Sequence, residues 1–359
     1  MSLPQQFSSF GNKLGSETGI EQLMTDLGEA MSGAKDVLML GGGNPAHISA
    51  MNTVWRKRMQ EILDTGAPFD NMLANYDTPK GRPAFISAIT HFLKNKYGWN
   101  ISEENIAITA GSQSAFFALF NMLAGKFDDG SNKHILLPVA PEYIGYADQG
   151  ISPCLFRSVR PIVSETRVNE FKYSIDFKTL SINKDTAAIA ISRPTNPSGN
   201  VITDDEVSQL SALTKKAGIP LIIDNAYGAP FPNIIFTPAK LIWDEHIVLS
   251  ISLSKLGLPG TRTGIIIANK EIARRISAIS AIIGLANNNI GQEITWPLVG
   301  DGTLEKLCAE HVTGFYLDKA KFAVQTLKAA MPAHVPYALH KCEGSMFLWL
   351  WLKELPITS

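Results

Sequence analysis

The most constraining feature of this chain is a series of apolar runs too short for helices, set between stretches with helical spacing. Ile106–Thr109, His134–Val139, Ala187–Ser192, Pro220–Ile223 and Ile247–Ser252 are each four to six residues long and almost wholly apolar. Such runs read as strands buried on both faces, which is how parallel sheets covered by helices are written. Gly111-Ser112-Gln113 opens a helix that closes at Gly125, and Thr203–Ala217 is a second, with Thr203 as N-cap and Glu206 completing a capping box. Strand and helix alternate, so the expected fold is α/β with a mostly parallel sheet sandwiched by helices.

Before this region, Ile20, Leu23, Met24 and Leu27 mark an amphipathic helix over Gly19–Met31, and Gly81–Tyr97 reads as another with Pro83 in its first turn. After it the chain is mainly helical: Lys270–Leu285, Gly291–Val299 and a long stretch over Thr303–Met331 that would bridge two parts of the molecule. Tyr337–Cys342 and Ser345–Leu352 then read as strands of a smaller α+β unit, the apolar run Met346–Leu352 being expected to lie buried on both faces. At roughly 100–200 residues per domain, 359 residues accommodate such a division.

Charge and cysteine usage narrow the function classes. With 32 basic and 33 acidic side chains there is no basic stripe, so nucleic acid is not an expected partner. Cys154, Cys308 and Cys342 are widely spaced, which fits a reducing compartment rather than a disulfide framework. The seven histidines fall in no metal-ligand spacing. The stretch Met1–Glu17 is polar, and no apolar run approaches the roughly 20 residues that a bilayer demands, so a cytoplasmic, membrane-free protein is expected.

In an open parallel sheet, ligands sit beyond the carboxyl ends of the strands. The residues there are Gly111–Ser114, Pro141-Glu142-Tyr143, Ser192–Pro197, Asp224–Tyr227 and Ser252–Lys255, with Arg262 after a Pro259-Gly260 turn. The Gly-Ser-Gln segment suits an anion at a helix N-terminus, or is an ordinary capped turn. Asp224 ends an apolar strand and needs a partner, which a salt bridge or a cap to the next turn could provide. Lys255 is either a surface lysine or a sheltered one whose lowered pKa makes it a nucleophile toward carbonyls. Walker and G-x-G-x-x-G patterns are absent. Taken together, an anion cradle, a carboxylate, a lysine and an arginine match the needs of pyridoxal phosphate (PLP): donors for its phosphate, an amine for its aldehyde, a carboxylate for its ring nitrogen.

Ser192-Arg193-Pro194-Thr195-Asn196-Pro197-Ser198-Gly199, Asp224-x-x-Tyr227 and Ser252-x-Ser254-Lys255-x4-Gly260-x-Arg262 resemble the signatures of fold-type I PLP-dependent aminotransferases, in that family's order. Gly41–Ala46, Asn75-Tyr76-Asp77, Gly111–Phe117, Ala140–Tyr146 and Ser254–Gly260 are most similar to its valine–pyruvate subgroup. The resemblance implies Lys255 as the catalytic lysine, Asp224 against the pyridinium nitrogen, Asn196 and Tyr227 on the ring hydroxyl oxygen, and Tyr143 on the ring face. It places Ser112, Gln113, Ser252 and Arg262 on the phosphate, Tyr76 across a homodimer interface, and Gly43 with Asn196 against the substrate.

It further implies residues 1–50 as the N-terminal segment of the small domain, 51–300 as the large PLP-binding domain and 301–359 as the small C-terminal domain. The implied reaction moves an amino group between valine or alanine and 2-oxo acids; a PLP-dependent lyase or decarboxylase on the same fold, or an inactive truncated PLP-binding protein, is the alternative. The family grips the substrate carboxylate with an arginine in the small domain, and no arginine follows Arg275. Thr358 or Ser359 reads as an N-cap with no helix behind it. The small domain is therefore expected to stop short. PLP binding would persist, while transamination would be weakened or lost.

Overall fold

The computed structural model describes residues 6–32 and 40–355, so the expected N-cap at Thr358 or Ser359 lies outside it. Short helices Ser9–Leu14 (α1) and Gly19–Ser32 (α2) precede Ser49–Thr65 (α3), Ala67–Ala74 (α4) and Pro83–Tyr97 (α5). The alternating region follows: Ile106–Thr109 (β1), Ser112–Leu123 (α6), Gly125–Lys126 (β2), Asn132–Leu137 (β3), Phe156–Ser158 (β4), Ile162–Arg167 (β5), Glu170–Ser174 (β6), Thr186–Ser192 (β7), Asp204–Ala217 (α7), Leu221–Asp224 (β8), Ile247–Ser252 (β9) and Gly264–Ile267 (β10). Lys270–Gly284 (α8), Asn289–Gly300 (α9), Thr303–Leu307 (α10), Gly314–Ala330 (α11), Tyr337–His340 (β11) and Leu350–Leu352 (β12) complete the order.

Eight strands form one sheet in the order β1-β10-β9-β8-β7-β3-β2, with β4 also pairing β3. The pairs β9–β8, β8–β7, β7–β3 and β3–β4 are parallel, and β10 is antiparallel to both its neighbours. Side chains alternate cleanly through it, as a period of two requires. Ile106, Ile108, Ile189, Ile191, Leu249 and Ile251 join the core beneath α5, α7 and α9. The residues between them, Ala107, Ala188, Ala190, Val248 and Ile266, pack with α6 and α8 on the opposite face. Helix on both faces explains why these strands carry no polar alternation.

The smaller sheet runs β12-β11-β6-β5. Two of its strands come from residues 162–174, between the large-sheet strands β4 and β7, so it draws chain from both sides of residue 300. Neither β5 nor β6 stands out in the sequence, because every residue of β5 is exposed and apolar residues are sparse. The strand expected over Ser345–Leu352 shrinks to Leu350–Leu352, at the sheet edge, with Trp351 44% exposed rather than doubly buried. Ser345, at a positive φ of 63°, turns the chain just before the apolar run, and residues 347–349 stay outside the sheet. Ser345 N–H donates to the Ile234 carbonyl (2.9 Å), which ties this stretch to the segment between β8 and β9. The long helix expected over Thr303–Met331 is likewise interrupted, by a π-helical turn at Cys308–Thr313. There the Thr313 hydroxyl donates to the Asn233 carbonyl (2.7 Å) and leans on that of Cys308 (3.3 Å).

The capping box at α7 forms as its spacing predicts. The Thr203 hydroxyl accepts from Glu206 N–H (3.2 Å), and the Glu206 carboxylate accepts from Thr203 N–H (2.8 Å). A Thr203→Ala substitution is expected to cost about 1 kcal/mol, read as a lower urea midpoint with unchanged slope.

Candidate active site

A cleft of about 530 Å³ opens at the carboxyl ends of β7, β8 and β9. It gathers Gly43, Ser112, Gln113, Tyr143, Asn196, Asp224, Tyr227, Ser252, Lys255 and Arg262, residues up to 219 positions apart in sequence. Tyr76 is not among the lining residues of its own chain's cleft and is 85% exposed. Parallel pairing causes the convergence: the register sets Ser192 beside Asp224 and Asp224 beside Ser250.

Asp224 ends β8 half-buried, with Oδ2 accepting from the Tyr146 hydroxyl (2.5 Å) and Oδ1 from Ala226 N–H (3.0 Å). Among the described residues it forms no ion pair, so of the two structural readings of this carboxylate the salt bridge is not seen, whereas the Ala226 bond is a cap to the next turn. Burial pushes its pKa up, against its hydrogen bonds and the Lys255 charge. Lys255 is sheltered rather than on the surface. Its ammonium donates to the Gly43 carbonyl (2.9 Å) and lies 5.2 Å over the Tyr227 ring. Burial lowers its pKa to about 8, with Arg262 adding to the effect and Asp224 opposing it. The Gly43 loop is held in turn by Tyr316, whose hydroxyl oxygen accepts from Ala46 N–H (2.9 Å).

The anion cradle rests on two glycines. Gly111 caps α6 without a side chain, leaving first-turn amides open toward the cleft, where the dipole favours negative charge. Its φ is +84°, and a Cβ there would sit 2.3 Å from Nη2 of Arg262. A Cβ on Gly264 would lie 2.7 Å from the Gly111 carbonyl carbon and the Ser112 nitrogen. Glycine at both positions lets the helix start, the sheet and the guanidinium touch. Ser250 donates to the Ser112 hydroxyl (3.1 Å), fixing the side chain at the helix start.

Four features of the site carried no sequence signal for their role. Tyr146 is the hydroxyl that reaches Asp224. Glu142 bonds both the amide and the hydroxyl of Ser192 (2.9 and 2.6 Å). Phe347, from the run read as a strand, lines the cleft and lies 3.3 Å from where a Cβ on Gly43 would be. The stripe Ile20, Leu23, Met24 and Leu27 of α2 faces the cleft instead of the core. Its spacing was legible, but an apolar stripe reads the same whichever it covers.

The aminotransferase class I and II pattern matches residues 35–355 of this sequence. The chain belongs to that family. This aminotransferase is 45% identical over 353 residues to the valine–pyruvate aminotransferase of Escherichia coli K12, covering 98% of this chain and 84% of that one. Its fold matches a putative amino-acid aminotransferase from Psychrobacter arcticum with a TM-score of 0.94 at 44% identity, over 99% of this chain and 85% of the other. A valine–pyruvate aminotransferase from Salmonella typhimurium matches with 0.85 at 44% identity, over 95% and 83%.

The family's cofactor is PLP, and the cleft fits it. A carboxylate without a cation partner, an amine with a depressed pKa, and a helix start beside an arginine are the complements of its ring nitrogen, aldehyde and phosphate. Were Lys255 the amine that takes the aldehyde, its attacking form would be the free amine, whose fraction rises with pH through about 8. The rate of PLP uptake, followed by visible absorbance, should climb about tenfold per pH unit below that point and level off above it. A rise continuing to pH 10 would show an ordinary lysine, and Lys255→Ala should give no absorbing adduct.

Proposed function

We propose that this aminotransferase exchanges the amino group of valine or alanine with 2-oxo acids, in the net sense valine plus pyruvate to 2-oxoisovalerate plus alanine. The observation that carries the reading is the apolar wall of α2 and Phe347 standing over the polar floor of Asp224 and Lys255. A branched aliphatic side chain fits such a wall, and a charged one would be stripped of water there without a partner. The identities to valine–pyruvate aminotransferases from two organisms support the same substrates.

When bound, PLP supplies an electron-withdrawing ring that stabilises negative charge at the substrate Cα. In this reading Asp224 would keep the ring nitrogen protonated, and Tyr143 would hold the ring by its face. Asn196 and Tyr227, both lining the cleft, would hold the ring hydroxyl oxygen. Ser112, Gln113, Ser252 and Arg262 take the phosphate, and Gly43 admits the substrate where a larger residue would meet Phe347. Lys255 holds the cofactor and moves a proton at the substrate Cα. Its pKa near 8 suits both accepting and returning that proton near neutrality. A homodimer in which the exposed Tyr76 reaches the partner's phosphate site, and a cytoplasmic location, complete the proposal. Among the described residues no helix is long and apolar enough to cross a membrane.

The test is a coupled assay of valine with pyruvate, measuring alanine and 2-oxoisovalerate together. Release of ammonia or CO2 in place of those products sinks the reading. Shortening the wall with Leu23→Ala and Met24→Ala should raise KM for valine about three- to tenfold while moving that for alanine less.

A further inference from the structure

Behind Asp224 stands a second carboxyl group that the reaction as described does not use. Glu142 follows Pro141 in the loop after β3, half-buried, with Oε1 accepting from Ser192 N–H (2.9 Å) and Oε2 within 2.6 Å of the Ser192 hydroxyl. Ser192 Oγ lies 3.5 Å from the hydroxyl of Tyr146, which donates to Asp224 Oδ2 at 2.5 Å. Ser192 and Tyr146 are both almost fully buried, at 2% and 3% exposure, so this line of four oxygen-bearing side chains has little water to compete with it. Resting on the cofactor site described above, we propose that Glu142 is a positioning residue that sets the protonation of Asp224 through Ser192 and Tyr146.

Counting hydrogens gives the reason. The line has three links and, with both carboxylates ionised, only the two hydroxyl hydrogens of Ser192 and Tyr146 to fill them. Those hydrogens then go to the two carboxylates, leaving the 3.5 Å middle link empty, as its length suits. A single added proton on Glu142 fills every link in one direction: Glu142 to Ser192, Ser192 to Tyr146, Tyr146 to Asp224. Asp224 then stays ionised with the spare proton stored at the far end. Deprotonating Glu142 breaks the relay and adds a negative charge beside Asp224, which raises the proton affinity of any cation held there.

The groups facing Glu142 are consistent with one titration in the physiological range. Asp224 from the end of β8 disfavours its ionisation, and Ser192 from the end of β7 favours it. Tyr143 and Tyr146 belong to its own loop and are themselves pushed up, chiefly by burial. Lys255 acts on Asp224 and Arg262 on Tyr143, one step further out. The neighbouring start of α6 presents the uncharged Ser112 and Gln113. Burial dominates the balance and brings Glu142 up to about 7.

Two measurements on wild type, Glu142→Gln and Ser192→Ala test this. Infrared difference spectra of the PLP-free protein should show a protonated carboxyl band that disappears with a midpoint near pH 7 in wild type. That component should be absent in Glu142→Gln, which mimics the protonated side chain, and should move to higher pH in Ser192→Ala, where a stabilising donor is lost. In the PLP-loaded protein, the pH midpoint of the visible band should fall by about half a unit or more in Glu142→Gln, since one neighbouring negative charge is gone. A band that persists unchanged in Glu142→Gln, or visible midpoints that overlay in the two proteins, overturns the proposal. Failure of wild type to take up PLP would refute the cofactor reading instead, and the infrared arm would still decide the role of Glu142.

Discussion

Parallel pairing of β7, β8 and β9 is the constraint on which the rest of this molecule depends. In-register parallel strands end together, so the residues that terminate their apolar runs become neighbours. Here the register lines up Ser192, Asp224 and Ser250 in one row, and Ser250 passes the contact on to Ser112 at the start of α6. The chemistry of the site is therefore fixed by backbone hydrogen bonds before any side chain chooses a rotamer. Loops then need only supply what a strand end cannot, which is reach: Lys255 and Arg262 arrive from short turns just beyond β9.

The same burial that makes the sheet stable sets the acid–base character of the cleft. Desolvation acts in opposite senses on the two kinds of charge, raising Asp224 and Glu142 and lowering Lys255. All three are thereby brought closer to neutrality, where a proton can move with little cost. An ordinary surface carboxylate and lysine are held apart by about six pH units. Enclosure by α2 and Phe347 on one side and the sheet on the other is thus an electrostatic device as much as a steric one.

Much of this was legible in the sequence, for identifiable reasons. Strands buried on both faces lose polar alternation, so β1, β7 and β9 stood out as apolar runs, and the polar residues ending them stood out by contrast. The Thr203–Glu206 capping box was legible because its partners are three residues apart. What stayed hidden depended on distance or context. The Tyr146–Asp224 and Glu142–Ser192 bonds join residues 78 and 50 positions apart. Of the two strands over residues 162–174, β5 is exposed throughout and carries polar residues, as an edge strand must if it is not to invite further strands, while β6 beside it is short and offers only Phe171 as a fully buried apolar residue. Phe347 was hidden by its own neighbours: a run of seven apolar residues looks like one strand, yet only its last three residues pair in the sheet.

The meeting of Gly111, Gly264 and Arg262 has a consequence for how this sequence can drift. A methyl group at 111 would collide with the guanidinium, and one at 264 with the backbone at 111. No single replacement of either glycine leaves the other two residues where they are. At 111 a change at Arg262 would clear the collision and still leave the left-handed backbone to be adopted, so glycine is required there twice over.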